Sequence, residues 1–239
     1  MFLFIVLFPR ISYSSQNYSN QNEQKHIPVF FVADDNYAPF VATTMASVLK
    51  NTKSFIEFYV ISDGISDKNK QKIANEKKWF KNFSLNFIEI DEKLISQLSK
   101  LNDKNMNKSA WSKIVYAKLF IPELNVSKKI KKAIYLDCDI IVKKDIKSLY
   151  DIDLENYIIG AVTEDLIYNN KIYKLEHYNH YRKREVENIE KITNNKQLIY
   201  FNSGVMLIDM EKWRKEKITE KSVKMASIIK KLFSGSNYP

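Results

Sequence analysis

The sequence is poor in the residues on which several kinds of functional site depend. It holds 1 Cys, 4 Gly and 5 Pro among 239 residues. A lone cysteine, Cys138, cannot form an intramolecular disulfide or a structural zinc site by itself, which favours a reducing compartment. The few glycines cannot build a glycine-rich phosphate cradle, and no Walker, dinucleotide-binding, zincin or nucleophile-elbow motif occurs. These absences argue against NTPases, dehydrogenases, zinc proteases and serine hydrolases.

A long hydrophobic run is also missing from the start of the chain. Residues 1–8 are apolar, but a membrane-spanning helix needs about 20 such residues, so no transmembrane segment is predicted. The same run lacks the positively charged start of a secretory signal peptide. Residues 12–26 are rich in Ser, Asn and Gln and predict a flexible leader. We therefore expect residues 1–26 to lie outside the fold, residues 27–239 to form one domain, and the protein to be cytoplasmic.

What the chain does contain is enough apolar surface for a large core and an excess of positive charge. Hydrophobic residues make up 45% of the chain and aromatic residues 13%, which is enough to offset the conformational entropy of folding. The formal net charge of +10 predicts an anionic partner. Charge alone does not choose among a nucleotide, a nucleic acid and an acidic membrane.

Short apolar runs alternate with longer helical patterns from residue 27 onward. Strands are predicted over residues 27–33, 55–61, 83–90, 133–136, 157–162 and 205–208. Helices are predicted with an apolar stripe from Phe40 to Leu49, in a Lys-rich stretch ending near Trp79, over residues 109–119, and over residues 211–233. This order predicts an α/β fold whose parallel strands are joined by right-handed crossovers. Residues 166–196 lack a clear period and are interpreted as an insertion over the sheet.

Acidic and amide side chains cluster where the predicted strands end. In open α/β sheets, ligands bind outside the carboxyl ends of the strands, so these side chains are expected to converge on one cleft. For the first group, capping of the next helix is an equally plain interpretation, because Asp accepts backbone N–H bonds there. The residues are Asp34, Asp35 and Asn36 after the first strand, Asp137 and Asp139 after the fourth, and Glu164 and Asp165 after the fifth.

The sequence Asp137-Cys138-Asp139 is the sharpest of these signals. Residues two apart in an extended segment project to the same side, so both carboxylates could face one divalent cation. Carboxylate oxygens suit Mg²⁺ or Mn²⁺, which keep other positions for water and phosphates. A second pair with the same spacing, Asp151 and Asp153, follows a helical stretch and is interpreted as structural.

Other residues support weaker interpretations. His177 and His180 are spaced by one helical turn, but their Tyr- and Arg-rich surroundings favour solvated side chains over metal ligands. Cys138 has no base nearby in sequence and, taken alone, is typical of a small buried residue. Residues 177–184 mix aromatic and basic side chains as single-strand nucleic-acid binders do, which leaves open a non-catalytic basic binding module. That module would use Tyr178, Tyr181, Arg182 and Arg184.

Several short motifs between residues 27 and 214 together resemble glycosyltransferase family 8, in the family's order and approximate spacing. This family includes bacterial lipopolysaccharide galactosyl- and glucosyltransferases and glycogenin. The resemblance implies a GT-A fold, which is an open, mostly parallel, twisted sheet with helices on both faces. The motifs are Ala33-Asp34-Asp35-Asn36-Tyr37, Tyr116-Ala117-Lys118-Leu119, Tyr135-Leu136-Asp137-Cys138-Asp139, Gly160-Ala161-Val162, Tyr200-Phe201-Asn202-Ser203-Gly204-Val205 and Trp213-Arg214.

The resemblance also implies an activity. It predicts a hexosyltransferase that moves glucose or galactose from UDP-glucose or UDP-galactose to a glycan or glycolipid acceptor, with retention of anomeric configuration. The cofactor implied is Mn²⁺, or Mg²⁺, and the process implied is lipopolysaccharide biosynthesis. No nucleic-acid partner is expected on this interpretation. Because lipid-linked acceptors are common in the family and the chain is basic, peripheral contact with an inner membrane face is a further expectation.

Site residues follow from the resemblance position by position. Asp34, Asn36 and Tyr37 would hold uracil and ribose. Lys118, where relatives often have Arg, would meet the phosphates or the sugar of the donor.

The remaining positions concern the metal and the sugar. Asp137 and Asp139 would ligate the metal, and the nucleotide-sugar set includes Asp137 and Cys138. One of Glu164 and Asp165 would bind sugar hydroxyls, and the spacing leaves open which of them does so. Asn202 would line the sugar pocket, whereas its neighbours Phe201 and Val205 are expected to pack in the core.

The end of the sequence departs from the family pattern. In the family, a Tyr-Pro like Tyr238-Pro239 continues into an Asp-Gln-Asp motif on the catalytic face, and a later His completes the metal site. Both features would lie beyond Pro239. The resemblance therefore implies a C-terminally incomplete domain that keeps its donor half, binds UDP weakly and is impaired in transfer.

Overall fold

The computed structural model describes residues 26–90, 94, 96, 113–163, 166–168, 171–173 and 201–234. The chain divides into two compact units. One comprises Glu23–Gly160 and Met206–Pro239, and the other comprises Met1–Asn22 and Ala161–Val205. The leader over residues 1–26 and the single domain over residues 27–239 stay predictions.

The first part of the described chain alternates strands and helices, as the sequence pattern predicts. The strands β1 and β2 are each followed by a helix that begins within four residues of the strand's end. A short 3₁₀ turn over Asn75–Lys78 extends the second helix toward Trp79. The elements are β1 (Ile27–Asp34), α1 (Ala38–Asn51), β2 (Ile56–Asp63), α2 (Asp67–Ala74) and β3 (Phe83–Glu89).

The second part is less regular. It opens with 3₁₀ segments at Lys113–Glu123 and Asn125–Lys129 and ends with two helices separated by a sharp turn. The remaining elements are β4 (Lys132–Leu136), α3 (Lys147–Tyr150), β5 (Ile159–Thr163), β6 (Leu166–Tyr168), β7 (Lys171–Tyr173), β8 (Phe201–Asp209), α4 (Met210–Lys215) and α5 (Ile218–Ser234).

Six of the described strands form one sheet in the order β3-β2-β1-β4-β8-β5. The pairs β1–β2, β2–β3 and β1–β4 are parallel, which confirms the predicted α/β fold with crossover connections. β1 and β2 are aligned from Ile27 opposite Ile56 to Asp34 opposite Asp63. The strands β6 and β7 form a separate antiparallel pair within the segment that was predicted to be an irregular insertion.

The core of the sheet is apolar and rich in aromatic side chains. Phe30 stacks on Tyr59 and Phe31 packs against Phe58, with ring centroids 4.7 and 5.8 Å apart. These contacts join β1 to β2 across the face of the sheet, where aromatic cross-strand pairs stabilise strand pairing. Burial of β1 explains why its sequence is a continuous hydrophobic run, whereas β2 contains Glu57 and alternates between buried and half-buried residues in its first half.

Helix α1 packs through the stripe that its sequence predicts, with one correction. Pro39 in the first turn is compatible with a helix start, because the N–H that it lacks has no intrahelical partner there. Val41, Met45 and Val48 are buried, whereas Phe40 is 50% exposed and is therefore not part of the stripe. Phe40 lies one position before the buried row, on the side of the helix that faces away from the sheet.

The turn before α2 shows local control by two residues. Gly64 has φ of 73°, a left-handed conformation that suits glycine and ends β2 where the sequence predicts. Ser66 then caps α2 by accepting the backbone N–H of Asn69. The helix starts in a place that its cap determines, directly beyond the carboxyl end of β2.

Several predicted boundaries differ from those of the structure. The helix predicted over residues 211–233 is divided at Lys217 into α4 and α5. The helix predicted over 109–119 is a 3₁₀ segment where it is described, and it continues through Pro122 to Glu123. Strand β5 begins at Ile159, two residues later than predicted, and β8 begins at Phe201, four residues earlier. Polar residues at the start of β8 hid its first half from a search based on apolar runs.

Candidate functional site

The loops after β1 and β4 adjoin because the two strands are parallel neighbours in the sheet. Val29 lies opposite Ile134 and Phe30 opposite Tyr135. Beyond the paired residues, the thiol of Cys138 donates to the carbonyl of Val32 at 3.2 Å. Side chains that are about a hundred residues apart in sequence thus meet at one edge of the sheet, where ligands of open α/β sheets bind.

Asp137, the first residue after β4, contacts two polar side chains. The hydroxyl of Tyr135 donates to its Oδ1 at 2.6 Å, and the Nζ of Lys118 lies 3.6 Å from the same oxygen. The side chain of Lys118 is 6% exposed and that of Asp137 is 41% exposed. The carboxylate therefore has one oxygen held from within the protein, while a large part of the group faces solvent.

Lys118 is a buried cation at this edge. Burial lowers the pKa of its ammonium group, and the charge of Asp137 opposes that shift. The ammonium also lies 5.0 Å from the centroid of the Tyr135 ring, a distance at which a cation–π contact forms. A phosphate bound beside Asp137 would contact the ammonium group of Lys118, which is already buried away from water.

The geometry of Asp137-Cys138-Asp139 differs from the one assumed in the sequence argument. Strand β4 ends at Leu136, and Cys138 and Asp139 lie in a turn rather than in an extended segment. The period of two therefore does not apply, and that premise was wrong. Both carboxylates still act on common neighbours, because each raises the pKa of Tyr135 and of Cys138, where burial is the larger cause.

The turn that carries these carboxylates is braced by polar residues of α1, which the sequence analysis missed. The hydroxyl of Thr44 lies within hydrogen-bond distance of the carbonyls of Cys138 and Ile140. One turn later, Ser47 accepts the N–H of Val142 at 2.9 Å. A row of Thr, Ser and Asn at helical spacing beside an apolar stripe was the available signal, since such residues bond to a neighbouring backbone when buried.

The brace continues to the end of the helix. The side-chain amide of Asn51 donates to the carbonyls of Ser47 and Val142, both at 2.9 Å. Thr52, directly after the helix, donates to the carboxylate of Asp145 at 2.6 Å. The backbone of residues 138–142 is therefore held by groups of α1 and not by its own carboxylates, whereas Asp145 is held through its side chain.

Asp34 and Tyr37 close the loop after β1. The carboxylate of Asp34 accepts the backbone N–H of Tyr37 at 3.1 Å within this loop, and no described side chain caps α1, so the capping interpretation was wrong for Asp34. Tyr37 is 50% exposed and its ring lies 5.6 Å from that of Phe40. Asn36 is exposed as well. An exposed aromatic ring and amide next to the β1–β4 edge are suited to contacting a planar base.

Asp35 makes contacts of a different kind. Its Oδ1 accepts the backbone N–H of Ser66 at 2.8 Å and the side-chain amide of Asn69 at 2.9 Å. These bonds lower the pKa of the carboxyl group, with the Ser66 backbone bond as the largest cause. Asp35 therefore ties the loop after β1 to the start of α2 rather than capping α1.

Cys138 is buried between the two carboxylates. Burial, followed by the charges of Asp137, Asp139 and Asp34, raises the pKa of its thiol to about 12. The thiol therefore stays protonated at neutral pH, which agrees with a packing residue and not with a nucleophile.

The other residues singled out from the sequence are placed as follows. Asn202 is the second residue of β8 and has an exposed side chain, whose Oδ1 accepts the N–H of Gly204 at 2.8 Å. Asp151 pairs with Lys147 and Asp153 accepts the N–H of Glu155, so both have structural partners. The following residues lie outside those the structure describes: Glu164, Asp165, His177, Tyr178, His180, Tyr181, Arg182 and Arg184.

The chemistry of the donor set fits a hard divalent cation. Among the described residues there is no group of three or more His, Cys, Asp or Glu that could hold a metal ion. Mg²⁺ and Mn²⁺ are, however, commonly bound through one or two carboxylates together with substrate phosphates and water. Asp137 and Asp139 match that requirement, because neither is buried and Lys118 stands beside them as a further charge for a phosphate.

A comparison with known families gives a match over most of the chain. Residues 28–235 match the model of the family described as glycosyl transferase family 8. The chain is 33% identical over 193 residues to general stress protein A of Bacillus subtilis, covering 80% of this chain and 58% of that protein. It is 30% identical over 200 residues to a putative glycosyltransferase of Haemophilus influenzae, covering 82% and 52%.

A more distant relative and a solved structure agree with this family match. The lipopolysaccharide 1,2-glucosyltransferase of Escherichia coli is 26% identical over 211 residues, with 86% of this chain and 54% of that protein covered. The crystal structure of the galactosyltransferase LgtC with donor and acceptor sugar analogues superposes with a TM-score of 0.63 at 24% identity, covering 85% and 66%. The fold is therefore the GT-A fold of these enzymes. The chain spans about half the length of the curated relatives it matches.

Proposed function

This chain belongs to glycosyl transferase family 8, and from that premise we propose that it binds a nucleotide-diphosphate sugar at the β1–β4 edge and transfers the hexose to a glycan or glycolipid. UDP-glucose and UDP-galactose are the proposed donors, and retention of configuration is the proposed outcome. The observation that carries the proposal is the pairing of buried Lys118 with Asp137 at the carboxyl end of β4. This arrangement supplies a cation for phosphates beside a carboxylate for a metal.

Each part of the edge has a proposed role. Asp34, Asn36 and Tyr37 bind uracil and ribose, with the exposed Tyr37 ring as the surface for the base. Lys118 binds the diphosphate, and its burial strengthens the attraction because water screens it poorly there. Asn202 belongs to the sugar-binding set, as does one of Glu164 and Asp165.

Asp137 and Asp139 are the proposed ligands of Mn²⁺ or Mg²⁺. When bound, such a cation neutralises the charge of a departing diphosphate. The protein contributes the fixed orientation of Asp137, whose Oδ1 is held by the hydroxyl of Tyr135. The brace from α1 keeps the turn in place, so that little ordering remains to be done when the nucleotide binds.

Calorimetry of UDP binding tests the proposal. UDP should bind in the presence of Mn²⁺, and EDTA or the substitution Asp139→Ala should lower its affinity by at least roughly tenfold. Asp153→Ala is the matched control, because Asp153 belongs to a pair with the same spacing and has a structural partner. Equal affinities in all four samples would refute the proposed site.

A peripheral contact with an anionic membrane is proposed as a secondary property of the same enzyme. None of the described helices is both long and apolar enough to cross a bilayer. Trp79, however, is 81% exposed after α2, and the neighbouring Lys77, Lys78 and Lys81 are exposed as well. Trp favours the membrane interface, and each nearby Lys adds about 1 kcal/mol of attraction to an anionic surface.

Co-sedimentation with vesicles tests this contact. The protein should sediment with anionic vesicles at low salt and not with neutral ones. The double substitution Lys77→Ala and Lys78→Ala should weaken sedimentation more than the same change at Lys128 and Lys129, which removes equal charge elsewhere in the chain. Equal sedimentation with both kinds of vesicle would contradict the proposal.

A further inference from the structure

The segment that carries Lys118 is an unusual support for a buried cation. Lys113–Glu123 is a 3₁₀ helix of 11 residues, although this geometry seldom extends beyond about four. Pro122 lies inside it and has no N–H, so the i→i+3 pattern loses the donor that would reach the carbonyl of Leu119. The segment therefore depends on hydrogen bonds from other parts of the chain.

Thr219, at the start of α5, supplies one of these bonds. Its hydroxyl donates to the carbonyl of Leu119 at 2.8 Å, and the same oxygen accepts the indole N–H of Trp213 at 2.9 Å. All three residues are buried, so the two bonds form a relay that water does not reach. We call this pair of bonds the Trp213–Thr219 relay. It ends one peptide bond away from Lys118.

The side chain of Arg214 binds backbone carbonyls of the same region. One guanidinium nitrogen donates to the carbonyls of Pro122 and Ser127, both at 3.1 Å, and the other donates to the carbonyl of Ile130 at 3.2 Å. The planar guanidinium offers several donors in fixed directions, which a lysine cannot do. Arg214 thus fixes the end of the Lys118 segment to the residues that lead into β4.

The turn between α4 and α5 brings these three side chains together. Asp209 caps α4 by accepting the N–H of Lys212 at 2.8 Å. Lys217 then adopts φ of 53°, a left-handed conformation that reverses the chain between the two helices. Thr219 at the start of α5 consequently lies beside Trp213 of α4.

We propose that the Trp213–Thr219 relay and Arg214 position Lys118 toward the ligand edge. Without them the 3₁₀ segment would relax, and the ammonium group would leave its place 3.6 Å from Asp137. The hydrogen bonds of Thr219 and Arg214 go to the carbonyls of residues 119, 122, 127 and 130, so these residues act on Lys118 through the backbone of the segment. The consequence for ligands rests on the proposed function, in which Lys118 binds the diphosphate.

Amine acylation of the folded protein tests the positioning directly. Lys118 is compared with the exposed Lys128 in the same sample by mass spectrometry of the peptides. Thr219→Val keeps the side-chain shape and removes the hydroxyl, and it should raise the relative rate at Lys118 by roughly tenfold because the segment opens more often. Thr219→Ser keeps the hydroxyl and should restore the wild-type rate.

Two further samples keep the experiment decisive. Phe83→Leu, in β3, destabilises the protein away from the segment and should leave the Lys118 rate unchanged relative to Lys128. If Thr219→Val does not fold, Arg214→Lys replaces it, because lysine cannot bond three carbonyls at once. Unchanged Lys118 labelling in the relay variant, or an equal rise in Phe83→Leu, would overturn the inference.

Nucleotide binding then measures the consequence for the site. Thr219→Val should lower UDP affinity by roughly tenfold in the presence of Mn²⁺, and it should leave uridine affinity unchanged because uridine has no phosphates. Equal losses for both ligands would indicate general loosening and would contradict the assignment. Labelling needs no ligand, so failure of the wild type to bind UDP would refute the proposed function while the labelling result still decides the role of the relay.

Discussion

The loops after β1 and β4 are both acidic and lie side by side, yet their carboxylates are used differently. After β1, Asp35 accepts hydrogen bonds from the start of α2, and Asp34 accepts one from its own loop. After β4, the backbone is held by Thr44 and its neighbours on α1. One loop uses its carboxylates to hold its shape, whereas the other receives its shape from elsewhere.

The difference shows how the protein leaves carboxylate oxygens available. Asp139 needs no structural partner of its own, because the brace from α1 orders the turn around it. The contacts of Asp137 with Tyr135 and Lys118 both use its Oδ1. Ordering a group through its backbone leaves its charged atoms for a ligand, and this is the arrangement that preorganised sites require.

The largest difference between the two loops is expected in the effect of a substitution at Asp137 on UDP affinity. Asp137→Asn removes a proposed metal ligand and the charge beside Lys118, so UDP affinity in Mn²⁺ should fall by more than roughly tenfold. Asp35→Asn makes the same chemical change in the other loop and should leave the affinity within about twofold. Calorimetry on the two variants would contradict the comparison if both lost affinity to the same extent.

The brace itself provides the next largest effect. Thr44→Val leaves buried carbonyls of the turn without their donor, which should lower the free energy of unfolding by about 1–3 kcal/mol. It should also weaken UDP binding several-fold because the turn loses its order. Thr43→Val is the control, since the neighbouring Thr43 donates to the exposed carbonyl of Pro39 within α1. Denaturant titration and calorimetry measure the two effects, and equal losses in both variants would argue against the brace.

Acid should affect the β1 loop through Asp35. Hydrogen bonds from Ser66 and Asn69 lower the pKa of this carboxyl group below its ordinary value of 3.8. The stability that these bonds contribute is present above that value and is lost as the pH falls through the lower pKa of the folded state. The Tm difference between the wild type and Asp35→Asn should therefore be present at neutral pH and shrink as the pH falls below 3.8. A difference independent of pH would exclude this account.

The smallest effect is expected at Cys138. Its thiol is buried and its pKa is raised to about 12, so maleimide labelling at neutral pH should be slow in the folded protein and fast in denaturant. Cys138→Ser should keep UDP affinity within about twofold, because the residue packs in the turn and does not contribute a charge. A large loss of binding would show that the thiol has a direct role in the site.

The fold could be predicted largely from the sequence because most of its strands have recognisable apolar patterns. β1, β2 and β3 are apolar runs separated by helical patterns, and their parallel pairing follows from that order. The start of β8 could not be predicted in this way, because Asn202 and Ser203 interrupt its apolar pattern. The 3₁₀ geometry around Lys118 also escaped prediction, since it depends on bonds from residues almost a hundred positions away.

The site was predictable in composition and less so in geometry. The acidic strand ends gave Asp34, Asp137 and Asp139 as neighbours, but the alternation argument for the metal pair failed because β4 ends before it. The brace from Thr44 and the long-range hydrogen bonds of Arg214 depend on tertiary packing, which no local pattern encodes. Whether the named residues bind a nucleotide sugar stays a prediction.

The contact between the loops after β1 and β4 has a consequence for the order of events during folding. The first three strands pair with close neighbours along the chain, whereas Val32 and Cys138 are 106 residues apart when they meet. Contacts between distant residues require closure of a long loop and form more slowly than local ones. We therefore expect a refolding chain to regain the circular dichroism of its β-α-β half before it regains affinity for UDP.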